Sequence, residues 1–155
     1  QTVRIITVGG TMKQSYHYLS MAVHAMIQKQ LMEKVKEIGL TSGQPKVLDY
    51  LIDYDGASQK EIAKACLIEA GSLTSILNRM EEKELVERKI VNGNRRTFCI
   101  FLTDQGKKQA KAVKKIFEDL EKEWFEHFDE QEKEQFLKGM EKMYVILSRK
   151  EGENG

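Results

Sequence analysis

One predicted helix, in the stretch AGSLTSILNRMEEKEL that begins at residue 70, has two chemically different faces. Its apolar residues recur at the i, i+3, i+4, i+7 spacing of a buried stripe, namely Leu73, Ile76, Leu77 and Met80. The opposite face carries small polar residues with an arginine beside them, namely Gly71, Ser72, Thr74, Ser75, Asn78 and Arg79. Hydroxyl and amide groups of this size fit the floor of a DNA major groove, and an arginine can reach a phosphate. These residues predict a DNA-contacting face, with an ordinary polar surface as the alternative.

A second candidate element is the stretch IVNGNRRTFCIFLT, residues 90 to 103, in which Asn92-Gly93 between two apolar runs predicts a β-hairpin. Asn94, Arg95 and Arg96 stand at its tip, and the arginines have no acidic partner nearby in sequence. Arginine suits phosphates and narrow minor grooves because its guanidinium group is planar and always charged. Only a few residues join the hairpin to the polar helix, so both can face one DNA duplex. A hairpin tip that only aids solubility is the alternative.

A third basic feature is the stretch KKQAKAVKK, residues 107 to 115, which follows the hairpin. Its five lysines could extend a phosphate-binding footprint. A solvated helix face is the favoured interpretation, because acidic residues follow at once and Val113 is expected to face the core.

The surrounding pattern predicts a mainly α-helical fold with one small β-hairpin. Capping-box pairs mark helix starts, and glycines mark helix ends. The pairs are Thr41 with Gln44, Ser58 with Glu61, and Asp129 with Glu132; the glycines are Gly39 and Gly56; a further long helix begins after Thr103. The predicted order is four helices, the hairpin and two helices. Two short helices joined by a tight turn and followed by a two-stranded ribbon form a winged helix-turn-helix.

Composition bounds the class of protein. The 155 residues are enough for one domain with a real core, and Lys+Arg 25 against Asp+Glu 24 means that any basic function must be local. No apolar run approaches the roughly 18 residues of a membrane span, and no signal-peptide pattern is seen, so the predicted location is the cytoplasm. Residues 1–11, which precede Met12, are interpreted as a leader or tag remnant and residues 12–155 as one domain.

The residues resemble the MarR family of winged helix-turn-helix transcriptional regulators. The stretches that carry the resemblance are LTSGQPKVL, KEIAKACL, GSLTSILNRMEEKELVER and NRRTFCIFLTDQG. The resemblance implies a homodimeric repressor that binds palindromic operators on double-stranded DNA and is released by a small aromatic or anionic ligand. It implies that residues 40–103 form the DNA-binding region and that residues 12–39 and 104–149 form the dimerisation helices. A seam of Phe136, Met140, Met143 and Leu147 at 4-3-4 spacing is the predicted dimer interface.

The resemblance also assigns individual residues. Thr74, Ser75, Asn78 and Arg79 fall on the family's recognition helix, and Arg95 and Arg96 fall on its wing tip. Two positions depart from the family pattern. Asn94 stands where an aspartate usually holds a wing arginine, and Glu84 stands where a glycine usually ends the recognition helix. Because that glycine position commonly needs a left-handed backbone, Glu84 predicts a different helix exit or backbone strain.

The sensor is less well defined by the sequence. Tyr16, His17, Tyr50 and Tyr54 are candidate ligand-binding residues, although these aromatic side chains fit a core or an interface equally well. No metal and no cofactor are expected, because His17 and His24 alone are too sparse a set for zinc. No cysteine precedes Cys66, so the family's peroxide-sensing site is not expected, and Cys66 and Cys99 are both predicted to be core residues.

The sequence also bears on two other classes of protein. An enzyme is disfavoured because no paired-carboxylate or nucleophile-elbow spacing occurs. A winged helix that binds a partner protein and not DNA stays open as the alternative. That alternative predicts an apolar or acidic exposed face over residues 71–79, whereas the sequence has polar and basic residues there.

Overall fold

The computed structural model describes residues 15–91 and 97–152. This part of the chain folds into helices with a small antiparallel sheet, as the sequence predicted. The helices are α1 (Tyr16–Lys36), α2 (Gln44–Asp53), α3 (Gln59–Cys66), α4 (Ala70–Glu82), α5 (Asp104–Phe125) and α6 (Glu130–Gly152). The strands are β1 (Ala57–Ser58), β2 (Val86–Ile90) and β3 (Phe98–Leu102). Residues 1–11 lie outside the described residues, so their interpretation as a leader stays a prediction.

Two of the three predicted capping boxes are complete. The Ser58 hydroxyl accepts from the backbone N–H of Glu61 at 3.2 Å, and the Glu61 carboxylate accepts from the N–H of Ser58 at 2.7 Å. Asp129 and Glu132 make the same reciprocal pair at 2.8 and 3.0 Å. These bonds satisfy N–H groups that have no partner within the helix, and they fix where α3 and α6 begin.

The predicted capping box of Thr41 and Gln44 is wrong in its position. Only one half of it forms, in which Gln44 Oε1 accepts from the N–H of Thr41 at 3.0 Å. The residue that precedes α2 is Gly43, with φ 84°, and Gln44 is the first helical residue. A glycine adopts this left-handed backbone without strain, so the chain enters the helix later than the pattern indicated.

The core forms where α2, α3 and α4 pack against α5 and the sheet. The four apolar residues of the α4 stripe are all buried, with exposures of 0 to 7%. From α5 come Ala110, Val113 and Leu120. The indole Nε1 of Trp124 donates to Gln30 Oε1 at 2.7 Å and joins α5 to α1.

The strand β1 was not expected from the sequence. It pairs antiparallel with β3, so that the strand order is β1-β3-β2, and it sets Ala57 opposite Ile100. Two residues are too short to show the alternation that marks a strand. The N–H of Gly56 also donates to the carbonyl of Ile100, and Asp55 Oδ1 accepts from the N–H of Leu102, both at 2.8 Å. The ribbon is therefore anchored to the turn between α2 and α3.

Much apolar surface is left uncovered in the single protomer. Every described side chain of α6 up to Arg149 is exposed except that of Met143, which is half-buried. The other residues of the predicted seam, Phe136, Met140 and Leu147, are 46, 54 and 55% exposed. The N-terminal half of α1 also exposes large apolar side chains, namely Leu19, Met21, Val23 and Met26. None of the described helices is long and apolar enough to cross a membrane.

Candidate nucleic-acid interface

The outward face of α4 carries all six of its predicted DNA-contacting residues. They are Gly71, Ser72, Thr74, Ser75, Asn78 and Arg79, and each is exposed. The buried stripe on the other side packs into the core, and this packing fixes the rotation of the helix about its axis. The buried apolar residues of α4 therefore determine that the polar residues between them face outward.

Hydrogen bonds within α4 determine what this face can offer to a ligand. The Thr74 hydroxyl donates to the carbonyl of Ala70 at 3.0 Å, and the Ser75 hydroxyl to the carbonyl of Gly71 at 3.5 Å. A hydroxyl whose proton is used in this way presents its lone pairs outward and acts as an acceptor. The amide of Asn78 has no hydrogen-bond partner among the described residues, so it offers both donors and an acceptor. Such a set can read base edges in a major groove.

Arg79 lies beside the small polar residues. Its Nε donates to the carbonyl of Ser75 at 3.3 Å, which holds the stem along the helix. The terminal nitrogens of the guanidinium group make no described contact and keep their donors for an anion.

Sequence reasoning missed Gln59, the first residue of α3. Its Nε2 donates to the Thr74 hydroxyl at 3.5 Å, which brings α3 to the edge of the α4 face. The position of Gln59 in the sequence could have indicated this contact. Gln59 begins the helix before the recognition helix, and the two helices of a helix-turn-helix meet close to that point.

The ribbon beside α4 has the predicted strands. Strands β2 and β3 pair antiparallel, from Val86 opposite Leu102 to Ile90 opposite Phe98. Arg88 of β2 forms an ion pair with Glu81 of α4, and its side chain is only 16% exposed, so the base of the ribbon is held against the helix. The predicted tip residues Asn94, Arg95 and Arg96 lie outside the described residues.

The chain leaves α4 through a strained residue. Glu84 has φ 57°, so it adopts the left-handed backbone that a glycine usually adopts at this position of the family. The chain thus keeps the backbone that a glycine would adopt freely, at a cost of about 1 kcal/mol. The Thr103 hydroxyl donates to the carbonyl of Glu84 at 2.5 Å and holds this exit in place.

The lysine-rich start of α5 is partly engaged by acidic neighbours. Lys115 forms an ion pair with Asp119, which raises the pKa of the lysine. Lys114 lies close enough to Asp49 to lower the pKa of that carboxyl group, although burial and Asp53 raise it more. These contacts support the solvated-face interpretation for this part of the stretch.

The four candidate ligand residues lie in two places, at the start of α1 and at the end of α2. Tyr16 and His17 are exposed in the first turn of α1, whereas Tyr50 and Tyr54 stack on each other near the end of α2, with ring centroids 4.8 Å apart. A cavity of about 350 Å³ lies elsewhere, between α1, the start of α2 and α4. Its lining includes His24, Met32, Lys46, Ser72 and Ile76 and none of the four predicted residues.

The cysteines differ in their surroundings. Cys66 is buried, as predicted, and burial raises the pKa of its thiol. Cys99 is only half-buried, because β3 exposes its outer face there. Within the described ranges, no three His, Cys, Asp or Glu residues are grouped so that they could hold a metal ion.

The fold and the polar face of α4 define a winged helix-turn-helix protein, and the comparisons with known proteins agree. A family model described as the MarR family matches residues 38–97. The transcriptional repressor MdtR of Bacillus subtilis is 29% identical over 85 residues, which are 55% of this chain and 55% of MdtR. The matched segment thus spans about half the length of that relative. The regulator HosA of Escherichia coli is 28% identical over 104 residues, 67% of this chain and 77% of HosA.

Among solved structures, that of Staphylococcus aureus MepR in complex with DNA has a TM-score of 0.80 and 28% identity. The superposition covers 87% of this chain and 99% of MepR. Residues 38–97 therefore match the MarR family of transcriptional regulators, and the described chain has the winged-helix fold of MepR.

Proposed function

We propose that this protein is a homodimeric repressor that binds palindromic operators on double-stranded DNA and leaves them when a small ligand binds. The observation that carries the proposal is the uncharged polar face of α4, exposed beside a ribbon that an ion pair holds in place. Surface helices generally present long charged residues to water, whereas short hydroxyl and amide groups allow close approach to bases. The similarity to MepR, which was solved in complex with DNA, supports the same role.

Recognition and positioning are divided between two sets of residues in this proposal. Thr74, Ser75 and Asn78 contact base edges in the major groove, while Gly71 and Ser72 allow the start of α4 to approach the backbone. Arg79 and the wing residues Asn94, Arg95 and Arg96 contact phosphates or the flanking minor groove. A regulator with this partner would work in the cytoplasm.

The homodimer is proposed from the uncovered apolar surface. The α6 helix buries almost nothing against its own protomer, whereas most helices in proteins owe their stability to the packing of an apolar face. A second copy that packs its terminal helices against α1, α5 and α6 would bury the seam. The proposed dimerisation region is residues 12–39 and 104–149, and residues 40–103 are the proposed DNA-binding region.

Release by a ligand is proposed from the cavity beside α4. Ser72 and Ile76 belong to α4 and line it, so a molecule bound there would press on the recognition helix. The ammonium group of Lys46 and the ring of His24 would favour an anionic ligand, and Met32 offers apolar contact. A small aromatic acid fits this lining. A site that includes Tyr16, His17, Tyr50 and Tyr54 stays a separate prediction.

Selection from a pool of random duplexes tests the DNA-binding role. The expected result is an inverted repeat whose half-site centres lie about one helical turn apart. Enrichment of no sequence, with binding that depends only weakly on salt, would favour the protein-interaction module and overturn the proposal.

The paired substitution Met140→Glu and Met143→Glu tests the dimer. It is expected to abolish both dimer and operator binding, because two charges in an apolar seam are costly to bury. Glu141→Gln, on the same exposed helix, is the matched control. Light scattering of the unaltered protein that gives the mass of one protomer at micromolar concentration would contradict the homodimer.

A further inference from the structure

A lysine at the end of α4 joins that helix to the end of α1. Lys83 caps α4, and its Nζ donates to the carbonyl of Gly39 at 2.8 Å and to Gln44 Oε1 at 3.4 Å. Gly39, with φ 78°, lies in the turn that ends α1, where the N–H of Leu40 closes on the carbonyl of Val35 at 3.0 Å. The contact therefore joins the turn that follows α1 to the residue that follows α4.

The acceptor Gln44 is held rigidly. Its side chain is fully buried, and Oε1 accepts from the N–H of Thr41 as well as from Lys83. Its Nε2 has no hydrogen-bond partner among the described residues, although a buried amide donor without a partner costs free energy.

A second contact joins the segment between α1 and α2 to the middle of α4. Gly43 packs so closely against Ile76 that a Cβ on the glycine would lie 2.4 Å from Ile76 Cδ1. Ile76 and Lys83 are seven residues apart in sequence, which is about 10 Å along a helix axis. Two contacts at that separation fix the direction of α4 as well as its position.

We propose that Lys83 is a positioning residue that sets the angle between the recognition helix and α1. This inference rests on the proposed function, in which α1 belongs to the dimerisation region and α4 enters the DNA. The angle then determines how far apart, and in what relative rotation, the two recognition helices of a dimer present their polar faces. Lys83 acts on the half-site spacing that the dimer accepts and does not contact DNA itself.

The test compares operators that differ only in spacing. One base pair added to or removed from the centre moves the second half-site by about 3.4 Å and turns it by about 35°. Affinities of the unaltered protein, Lys83→Met and Lys83→Arg are measured on the selected operator and on the two shifted duplexes. Lys36→Met is the matched control, since Lys36 is an exposed lysine in the last turn of α1 without a described ion pair.

Lys83→Met is expected to discriminate less well between the selected operator and the two duplexes of shifted spacing. A hydrogen bond with a net value of about 1 kcal/mol predicts that Lys83→Met narrows the preference for the native spacing about fivefold. Lys83→Arg restores the preference, Lys36→Met leaves it unchanged, and the slope of log affinity against log salt stays the same in all four proteins. If Lys83→Met unfolds at the assay temperature, Lys83→Gln, whose shorter amide cannot span the gap, replaces it with the same expectation.

Two results would overturn the inference while the proposed function stands. One is an unchanged spacing preference in Lys83→Met. The other is a salt slope that falls by about one unit, which would show that Lys83 contacts a phosphate. Failure of the unaltered protein to bind any selected duplex would overturn the proposed function and this inference with it.

Discussion

Replacing Gly106 by alanine is expected to destabilise the protein strongly, although the residue lies in the first turn of a helix. A Cβ there would lie 1.9 Å from the carbonyl oxygen of Leu85. A carbon and a carbonyl oxygen approach to about 3.3 Å at closest, so α5 and Leu85, the residue before β2, must separate by about 1.4 Å. Such a shift disturbs the 3.1 Å bond from the N–H of Thr103 to the same oxygen.

The magnitude follows from these contacts. Overpacking of this kind costs about 1–3 kcal/mol, and a weakened backbone hydrogen bond adds about 1 kcal/mol. For a chain of this length, a loss of about 3 kcal/mol lowers the melting temperature by about 10 °C. Urea and thermal denaturation at one fixed protein concentration measure the change, since assembly makes the midpoint depend on concentration.

Gly71→Ala is the matched control, and its expected effect on stability has the opposite sign. Nothing lies within 4 Å of a Cβ on Gly71, which is in a helix, so alanine is expected to stabilise the fold by about 0.5–1 kcal/mol. Stability of Gly106→Ala at or above that of the unaltered protein would refute the close packing of α5 on Leu85. The same Gly71→Ala protein is expected to bind its operator more weakly, because the added methyl group stands on the proposed DNA-contacting face.

Three further results are expected. A thiol reagent should modify Cys99 in the native protein and reach Cys66 only on unfolding, because burial protects that thiol and raises its pKa; two fast thiols would contradict this. Asp49→Asn should raise the urea midpoint at neutral pH, because burial and then Asp53 raise the pKa of this carboxyl group, so that its ionised form destabilises the fold. The gain should vanish at about pH 3, where the carboxyl group is protonated in both states, and a gain that persists there would disprove the cause. Glu84→Gly should add about 1 kcal/mol of stability in urea denaturation by relieving its left-handed backbone, and no gain would show that the residue is unstrained.

The sequence was most informative where a helix has one buried face. In α4, Leu73, Ile76, Leu77 and Met80 determine which way the helix turns, so the exposed polar face could be predicted without coordinates. The capping pairs of α3 and α6 were equally readable, because both partners lie within three residues of each other. A hydrogen bond between residues close in sequence can be predicted from the spacing of those residues.

Long-range contacts left little or no signal. The strand β1 exists because β3 is folded beside it, and its two residues carry no pattern of their own. Lys83 finds its acceptor 44 residues away in sequence, at Gly39, and no spacing predicts that contact. The candidate ligand residues stay a prediction for the same reason, since aromatic side chains near α1 and α2 look alike in sequence whether or not their helices meet.

The most direct test of the central claim is the affinity of the unaltered protein and of Asn78→Ala for the selected operator and for a scrambled duplex, at several salt concentrations. Asn78 is exposed and has no described side-chain partner, so alanine should leave the fold intact. Loss of base contacts is expected to cost about 1–3 kcal/mol on the operator and little on the scrambled duplex. The salt slope should not change, because a neutral amide releases no counterion. Equal losses on both duplexes, or an undiminished affinity for the operator, would contradict the claim that this face of α4 recognises DNA sequence.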